Sequence, residues 1–172
     1  MIEKEYKLKW ISSTQINKKH LYFKVTQVSC WVISSDQKVL LVSKDNVKWT
    51  VTAGHTEIYD ADLTATAIRE VYEEAGLDIS TCRDKIKMLG YYIVEVLDKK
   101  THLHIETCIQ ARFVLFINEL SNNTFLVPHE KNDQIEKVKY ARFFSIKDAE
   151  RTVIWFKDSG DFNQIKKMLT LS

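Results

Sequence analysis

Three glutamates, Glu70, Glu73 and Glu74, fall within five positions directly after Arg69 in the stretch TAGHTEIYDADLTATAIREVYEEAGLDI. Upstream lie Glu57, Asp60 and Asp62, so six carboxylates between residues 57 and 74 stand against one arginine. On a helix, side chains three and four positions apart are neighbours, and like charges at that spacing cost about 0.2–0.5 kcal/mol per pair. Arg69 can pair with Glu73 at i+4, which leaves Glu70 and Glu74 unbalanced. A solvated acidic face is the plainest account of such charge. Three features point instead to a bound cation. The cluster is dense in a chain whose formal net charge is +2. The opposite side of the same segment is apolar, which fixes the direction of the acidic side. Gly54, where backbone can approach a ligand closely, comes just before it. Hard divalent cations take carboxylate and carbonyl oxygens, and magnesium completes its shell with water and substrate phosphates. Such an ion would neutralise the cluster and polarise a phosphoanhydride.

The cluster needs a helix to hold it. From Leu63 to Ala75 the apolar residues Leu63, Ala67, Ile68, Val71, Tyr72 and Ala75 recur at helical spacing. Asp62 is a good N-cap and Gly76 a good residue just past the C-terminus, so both ends are marked. Around this helix the pattern is that of strands. EYKLKW alternates as an edge strand, YFKVTQVSCWVIS reads as a long strand, and KVLLVSK is its partner across the turn SSDQ. KWTVTAG is a further short strand. KMLGYYIVEVL and HLHIETCIQARFVLFI flank the charged turn DKKT. NELSNNTFLVPHEKNDQ, which holds the chain's one proline, Pro128, reads as a long loop, and EKVKYARFFSI as a strand. KDAERTVIWF starts a short helix, and GDFNQIKKMLTL makes a last amphipathic one. The expected class is α/β in the broad sense, an α+β arrangement with a mixed sheet sandwiched between helices.

Composition sets the outer bounds. A chain of 172 residues is expected to form a single domain over residues 1–172. With 45% apolar and 28% charged residues and near-balanced charge, neither nucleic acid nor an anionic membrane is the expected partner. No apolar run approaches the roughly 18 residues a membrane span requires. MIEKEYKLKW is charged and alternating, unlike a secretory leader. Cys30, Cys82 and Cys108 are odd in number and lack paired spacing, so a reduced, cytoplasmic setting is expected. The alternating first segment could extend its own sheet or a partner's, which leaves a homodimer open.

GHTEIYDADLTATAIREVYEEAGL resembles the signature of the Nudix hydrolases, a MutT-like family. That signature is a glycine, five residues, a glutamate, seven residues, then Arg-Glu, an aliphatic, any residue, Glu-Glu, any residue, Gly and an aliphatic. Arg69 to Leu77 match its second half in full. Gly54 matches the first glycine, but 14 residues separate it from Arg69 where the family has thirteen. One residue is inserted after Glu57, and the family's isolated glutamate falls on Asp60 or Ala61. KWTVTAGH and VKYARFFSIKDAE resemble the flanking strands of the fold. The resemblance implies Mg²⁺- or Mn²⁺-dependent hydrolysis of a nucleoside diphosphate linked to another moiety. It implies Glu70 and Glu74 as main metal ligands, Glu73 assisting, and the Ala53 carbonyl as a further ligand. Arg69 would orient the carboxylates. Catalytic work is thus expected of Glu73, Glu70 and Arg69, and substrate contacts of Gly54, His55 and Glu57. A further acid from a late loop would be Glu130 or Glu136.

Other residues read more plainly. His102 and His104 alternate in an expected strand and would share a face, but no third zinc ligand accompanies them. Lys18, Lys19 and His20 form a short basic patch, read as a solvated turn. Cys108 reads as a small core residue. Trp31, Trp49, Tyr91, Tyr92 and Phe113 read as core, and one aromatic from this group or the late loop would stack on a base. Two other readings stand beside hydrolysis. One is a Nudix-like module that binds a nucleotide without cleaving it. The other, suggested by TAGH, is an isomerase of an isoprenoid diphosphate, for which no cysteine stands in an evident catalytic setting near the signature.

Overall fold

The computed structural model describes residues 3–118 and 138–170. Its strands are β1 (Lys4–Ser12), β2 (Lys24–Ile33), β3 (Lys38–Ser43), β4 (Trp49–Thr50), β5 (Thr52–Gly54), β6 (Lys87–Asp98), β7 (His104–Phe116) and β8 (Tyr140–Ser145). Three α-helices accompany them: α1 (Leu63–Ala75), α2 (Ile146–Thr152) and α3 (Gly160–Thr170). The strands form one mixed sheet in the order β1-β6-β7-β2-β3-β4, with β5 added to β2 and β8 to β3. β2 and β7 run parallel, and the other pairs are antiparallel.

β2 shows why the sheet must be covered on both sides. Its Val28, Cys30 and Val32 pack with Ala67, Val71 and Ala75 of α1. The alternate residues Trp31 and Ile33 pack with Phe156, Phe162 and Ile165 around α3. Period two on the strand thus sends one apolar set to each helical layer. On α1 the buried positions Ala67, Val71 and Ala75 are each four apart, which makes one stripe. The helix has the expected bounds. The Asp62 side chain accepts from the Ala65 N–H at 2.9 Å, and Gly76 takes φ 68°, a conformation that glycine adopts without strain.

KWTVTAG is not one strand. β2 and β3 meet only at Ile33 and Val39, so the two strands splay. The segment changes partner at Val51: Trp49 and Thr50 lie along β3, and Thr52–Gly54 fill the edge of β2. His102 and His104 do not share a strand face. His102 lies in the turn at φ 56° and contacts Glu5, whereas His104 begins β7 and bonds to Thr107. His20 is no part of a solvated turn either. Its Nδ1 lies 2.7 Å from the Tyr91 hydroxyl, in a short 3₁₀ helix over Lys18–Tyr22. Trp31, Trp49, Tyr91, Tyr92, Phe113 and Cys108 are buried as expected. The late loop falls largely on residues 119–137, which lie outside the described residues together with Glu130 and Glu136.

The α3 layer is fastened by a charge in its interior. The Asp161 carboxylate, fully buried, accepts from Trp31 Nε1 at 3.1 Å, from the Tyr92 hydroxyl at 2.9 Å and from the Ser159 hydroxyl. Arg112 Nε lies 3.3 Å from the same carboxylate. Burial lowers the pKa of Arg112, and the Asp161 charge works against that. Removing one member of such a set strands the others without water. We expect Asp161→Ala to cost roughly 3–5 kcal/mol, read as a lower urea midpoint. A loss below about 1 kcal/mol, the usual size for a single net hydrogen bond, would mean that the cluster contributes little.

Candidate active site

Arg69, one turn and a half into α1, gathers the loop and the helix onto itself. Its Nη2 and Nε donate to the two carboxylate oxygens of Asp60, at 2.9 and 3.1 Å. Its Nη1 donates to Glu70 Oε1 at 2.6 Å and to Glu73 Oε2 at 3.1 Å. Nη2 also reaches the His55 carbonyl at 2.8 Å. The fork geometry of a guanidinium is what permits this many acceptors in one plane. Glu70 is therefore not unbalanced as its spacing suggested. The guanidinium spreads its donors, so that the neighbouring carboxylate shares one nitrogen with Glu73.

Asp60 is the second hub. Besides Arg69 it accepts from the Glu57 N–H at 2.9 Å and the Thr66 hydroxyl at 2.9 Å. These donors tie the signature loop to the first turns of α1. Asp60, one of the two positions where the resemblance puts the loop glutamate, thus binds Arg69 through both carboxylate oxygens. Hydrogen bonding from Arg69, with lesser help from the Glu57 N–H and Thr66, holds the Asp60 carboxyl down at about 2. Asp62 is drawn away from the cluster: it caps α1 and pairs with Arg83 at 2.6 Å. Glu57 and His55 have exposed side chains, and both enter the knot through backbone atoms.

Two glutamates brace the helix against β5. A Cβ on residue 54 would lie 2.1 Å from Glu70 Cδ, so only glycine admits that carboxylate. Glu70 is 8% exposed, and burial raises its pKa while Arg69 partly offsets the rise. Glu74 Oε2 accepts from the Ala53 N–H at 2.8 Å. Ala53 pairs with Ser29 in β2, so this N–H points away from β2. In an extended residue the N–H and C=O turn to the same edge, which directs the Ala53 carbonyl toward the helix side as well.

The donor set fits a hard divalent cation: carboxylate oxygens on one helix side, one of them buried, with a strand carbonyl beside them. Among the described residues no three His, Cys, Asp or Glu side chains converge on one point. Glu70 and Glu73 turn to Arg69, and Glu74 to Ala53.

On the opposite face of the sheet lies a feature that the sequence reading missed. Gly54 faces α1, so Ala53 faces the other side. Its register partner Ser29 and the partner of that, Arg112, continue the row across β2 and β7. Two strand spacings put Arg112 about 10 Å from Ala53. Arg112 there lines a cavity of about 420 Å³ with Leu8, Tyr92, Trp155, Asp158 and Ser159. Among the described residues, Ser29 Oγ and Arg112 Nε are buried polar atoms without a hydrogen-bond partner. Arg112 also reaches Gln110 at 3.0 Å and Gln27 at 3.4 Å. One signal was available: an arginine inside the apolar run CIQARFVLF is a charge that burial must compensate.

The NUDIX domain profile matches residues 24–164, most of the chain. The protein therefore belongs to the Nudix family, hydrolases that act on phosphoanhydride bonds. Solved structures with the same fold include an Ap4A hydrolase of C. elegans, at 14% identity and a TM-score of 0.51, over 85% of this chain and 98% of that one. The MutT protein of Methanosarcina mazei Go1 is similar at 15% identity and TM-score 0.51, over 84% and 94% of the two chains. No curated protein matches the sequence. Among the described residues no helix is long and apolar enough to cross a membrane.

The depressed pKa of Asp60 makes a pH prediction. Its contribution to stability is complete above the ordinary value of 3.8 and disappears as pH falls toward about 2. In urea unfolding with a chelator present, the gap between wild type and Asp60→Asn should therefore be constant from neutral pH to about 4, then shrink. A gap unchanged down to the acid limit would break the Asp60–Arg69 assignment.

Proposed function

We propose that this protein hydrolyses a phosphoanhydride in a nucleoside diphosphate that carries a further group, with water attacking phosphorus. The supporting observation is the knot of Arg69 with Asp60, Glu70 and Glu73, set against the Gly54 backbone. Glu70, Glu74 and Glu73, with the Ala53 carbonyl, are the groups that would hold Mg²⁺ or Mn²⁺. When bound, the ion offsets charge on the anhydride and eases deprotonation of water. Arg69 keeps the glutamates in position and limits their mutual repulsion. Glu70 and Glu74 are braced against β5. Glu73 pairs with Arg69 at 3.1 Å and keeps about a quarter of its side chain exposed, 24%. It is the helix carboxylate best able to reach a water and accept its proton. Gly54 makes room for the Glu70 carboxylate against the strand, and His55 and Glu57 line the loop edge.

The cavity around Arg112 suits the nucleoside end of the substrate. Trp155 is 43% exposed at its wall, edge-on to Phe156 at 4.5 Å, and offers an aromatic face. Arg112, Ser159 and Asp158 supply polar groups around it. Tyr92, an aromatic expected to be core, lines the cavity while its hydroxyl stays with Asp161. The isomerase reading finds no support in Cys30, which lies opposite Thr52 in the sheet. Cys30 lies enclosed under β5, and burial pushes its thiol up to about 12.

A panel of nucleoside diphosphate derivatives, incubated with and without Mg²⁺, tests the reading. Release of a monophosphate in the presence of the metal supports hydrolysis. Tight binding with no product supports a nucleotide-binding module instead. Glu73→Gln and Glu74→Gln should each lower kcat by about 100-fold or more, the usual scale for lost acid–base catalysis, while the thermal melt is preserved. Wild-type rates in both variants would sink the assignment of the site. Trp155→Ala should raise KM about tenfold, the scale of one stacked base, with kcat within about twofold. An unchanged KM would move the base elsewhere.

A further inference from the structure

β1 ends the sheet, with β6 as its one strand neighbour among the described residues. The Lys99 N–H donates to the Glu3 carbonyl at 2.8 Å, which fixes the phase of this pair. The register then runs unbroken from Lys4↔Asp98 to Ser12↔Gly90. Backbone groups alternate in direction along a strand, so Glu3, Glu5, Lys7 and Lys9 bond toward β6. Lys4, Tyr6, Leu8 and Trp10 aim their N–H and C=O outward. Tyr6 and Leu8 are also exposed large apolar side chains, at 55% and 54%.

Lysines on an edge strand ordinarily keep it from pairing. Here their order gives them partners on a second copy. From the structure we infer that β1 pairs antiparallel with β1 of another copy of this chain, on a two-fold axis at Tyr6. This inference is independent of the catalytic reading. In that register Tyr6 meets the partner's Tyr6, and Leu8 meets the partner's Lys4. Both pairs use the outward-facing backbone groups. Glu3 then meets the partner's Lys9, and Glu5 meets the partner's Lys7. The other centres between Glu3 and Lys9 fail on charge. Centring on Glu5 or Lys7 sets each against its own copy, and centring on Leu8 sets Lys7 against the partner's Lys9. Directly opposed like charges destabilise a strand pair. Among centres from Glu3 to Lys9, Tyr6 is the one that leaves no like charges opposed. Glu3 and Glu5 touch Lys99 and His102 of the turn that follows β6, at 3.3 and 3.2 Å. These contacts are solvent-exposed and compete weakly. The pairing also sets the partner's Lys4 beside Leu8, at the rim of the Arg112 cavity.

Sedimentation of the full chain over a range of concentrations reads the assembly. We expect a dimer for wild type and at least about tenfold weaker association for Lys7→Glu or Lys9→Glu, each of which opposes two glutamate pairs. The double variant Glu5→Lys/Lys7→Glu should restore the dimer. Register is read by oxidation: Tyr6→Cys should form an intermolecular disulfide, because opposed Cα atoms about 5.5 Å apart lie within bridging range. Leu8→Cys, facing the partner's Lys4, should cross-link no more than wild type. A wild-type monomer at every concentration overturns the inference, as does a dimer untouched by both charge reversals. Failure of the double variant to re-associate, or equal cross-linking at residues 6 and 8, overturns the register.

Discussion

Four acceptors converge on one guanidinium, and the site exists because of it. Without Arg69, the carboxylates of Asp60, Glu70 and Glu73 would repel one another within a small volume. With it, each carboxylate is held by an N–H that is charged and directional. The same group reaches back to the His55 carbonyl, so the loop cannot swing free of the helix. Asp60 completes the tie through Thr66 and the Glu57 N–H. The altered loop is thereby accommodated. Ile58 and Tyr59 stand exposed in it, while Asp60 arrives at the arginine with both oxygens.

β5 is three residues long and serves both faces of the sheet. Gly54 gives way to the Glu70 carboxylate on the α1 side. Ala53 opens a row on the other side, through Ser29 to Arg112 and the cavity beyond. The anionic helix side abuts this short strand, and the Arg112 cavity lies two strands away along its row. That strand finds room because β2 and β3 diverge after their one shared pair. A small departure from regular pairing thus places β5, which the helix glutamates abut, two strand spacings from Arg112 and its cavity.

The α3 layer stands on a comparable arrangement in a drier setting. Asp161 replaces water with Trp31, Tyr92 and Ser159, and Arg112 lies between this carboxylate and the cavity. A buried ion pair is a poor source of net stability but a strict one in geometry, since its members have few other acceptable partners. It fixes where the Arg112 guanidinium stands, and so shapes the wall that a ligand would meet.

Much of this was legible in the residues alone. The helix Leu63–Ala75 announced itself through its period, its aspartate cap and its terminal glycine, all local signals. The long strands did so through β-branched and aromatic runs, and the carboxylate cluster through bare spacing. Local pattern failed where partners lie far apart in sequence. Nothing near KWTVTAG reveals that β2 and β3 diverge and split it. Nothing near Glu70 reveals that Arg69 would serve it as well as Glu73, because side-chain reach depends on the loop folded over it. The pairing of Arg112 with Asp161, 49 positions apart, and the cavity beside Trp155 follow from the packing of α3 on the sheet. Sequence determined which elements form and which charges need a partner, since those depend on neighbours a few residues away. Tertiary structure decided which partner each charge obtained, since that depends on the direction in which whole strands and helices meet.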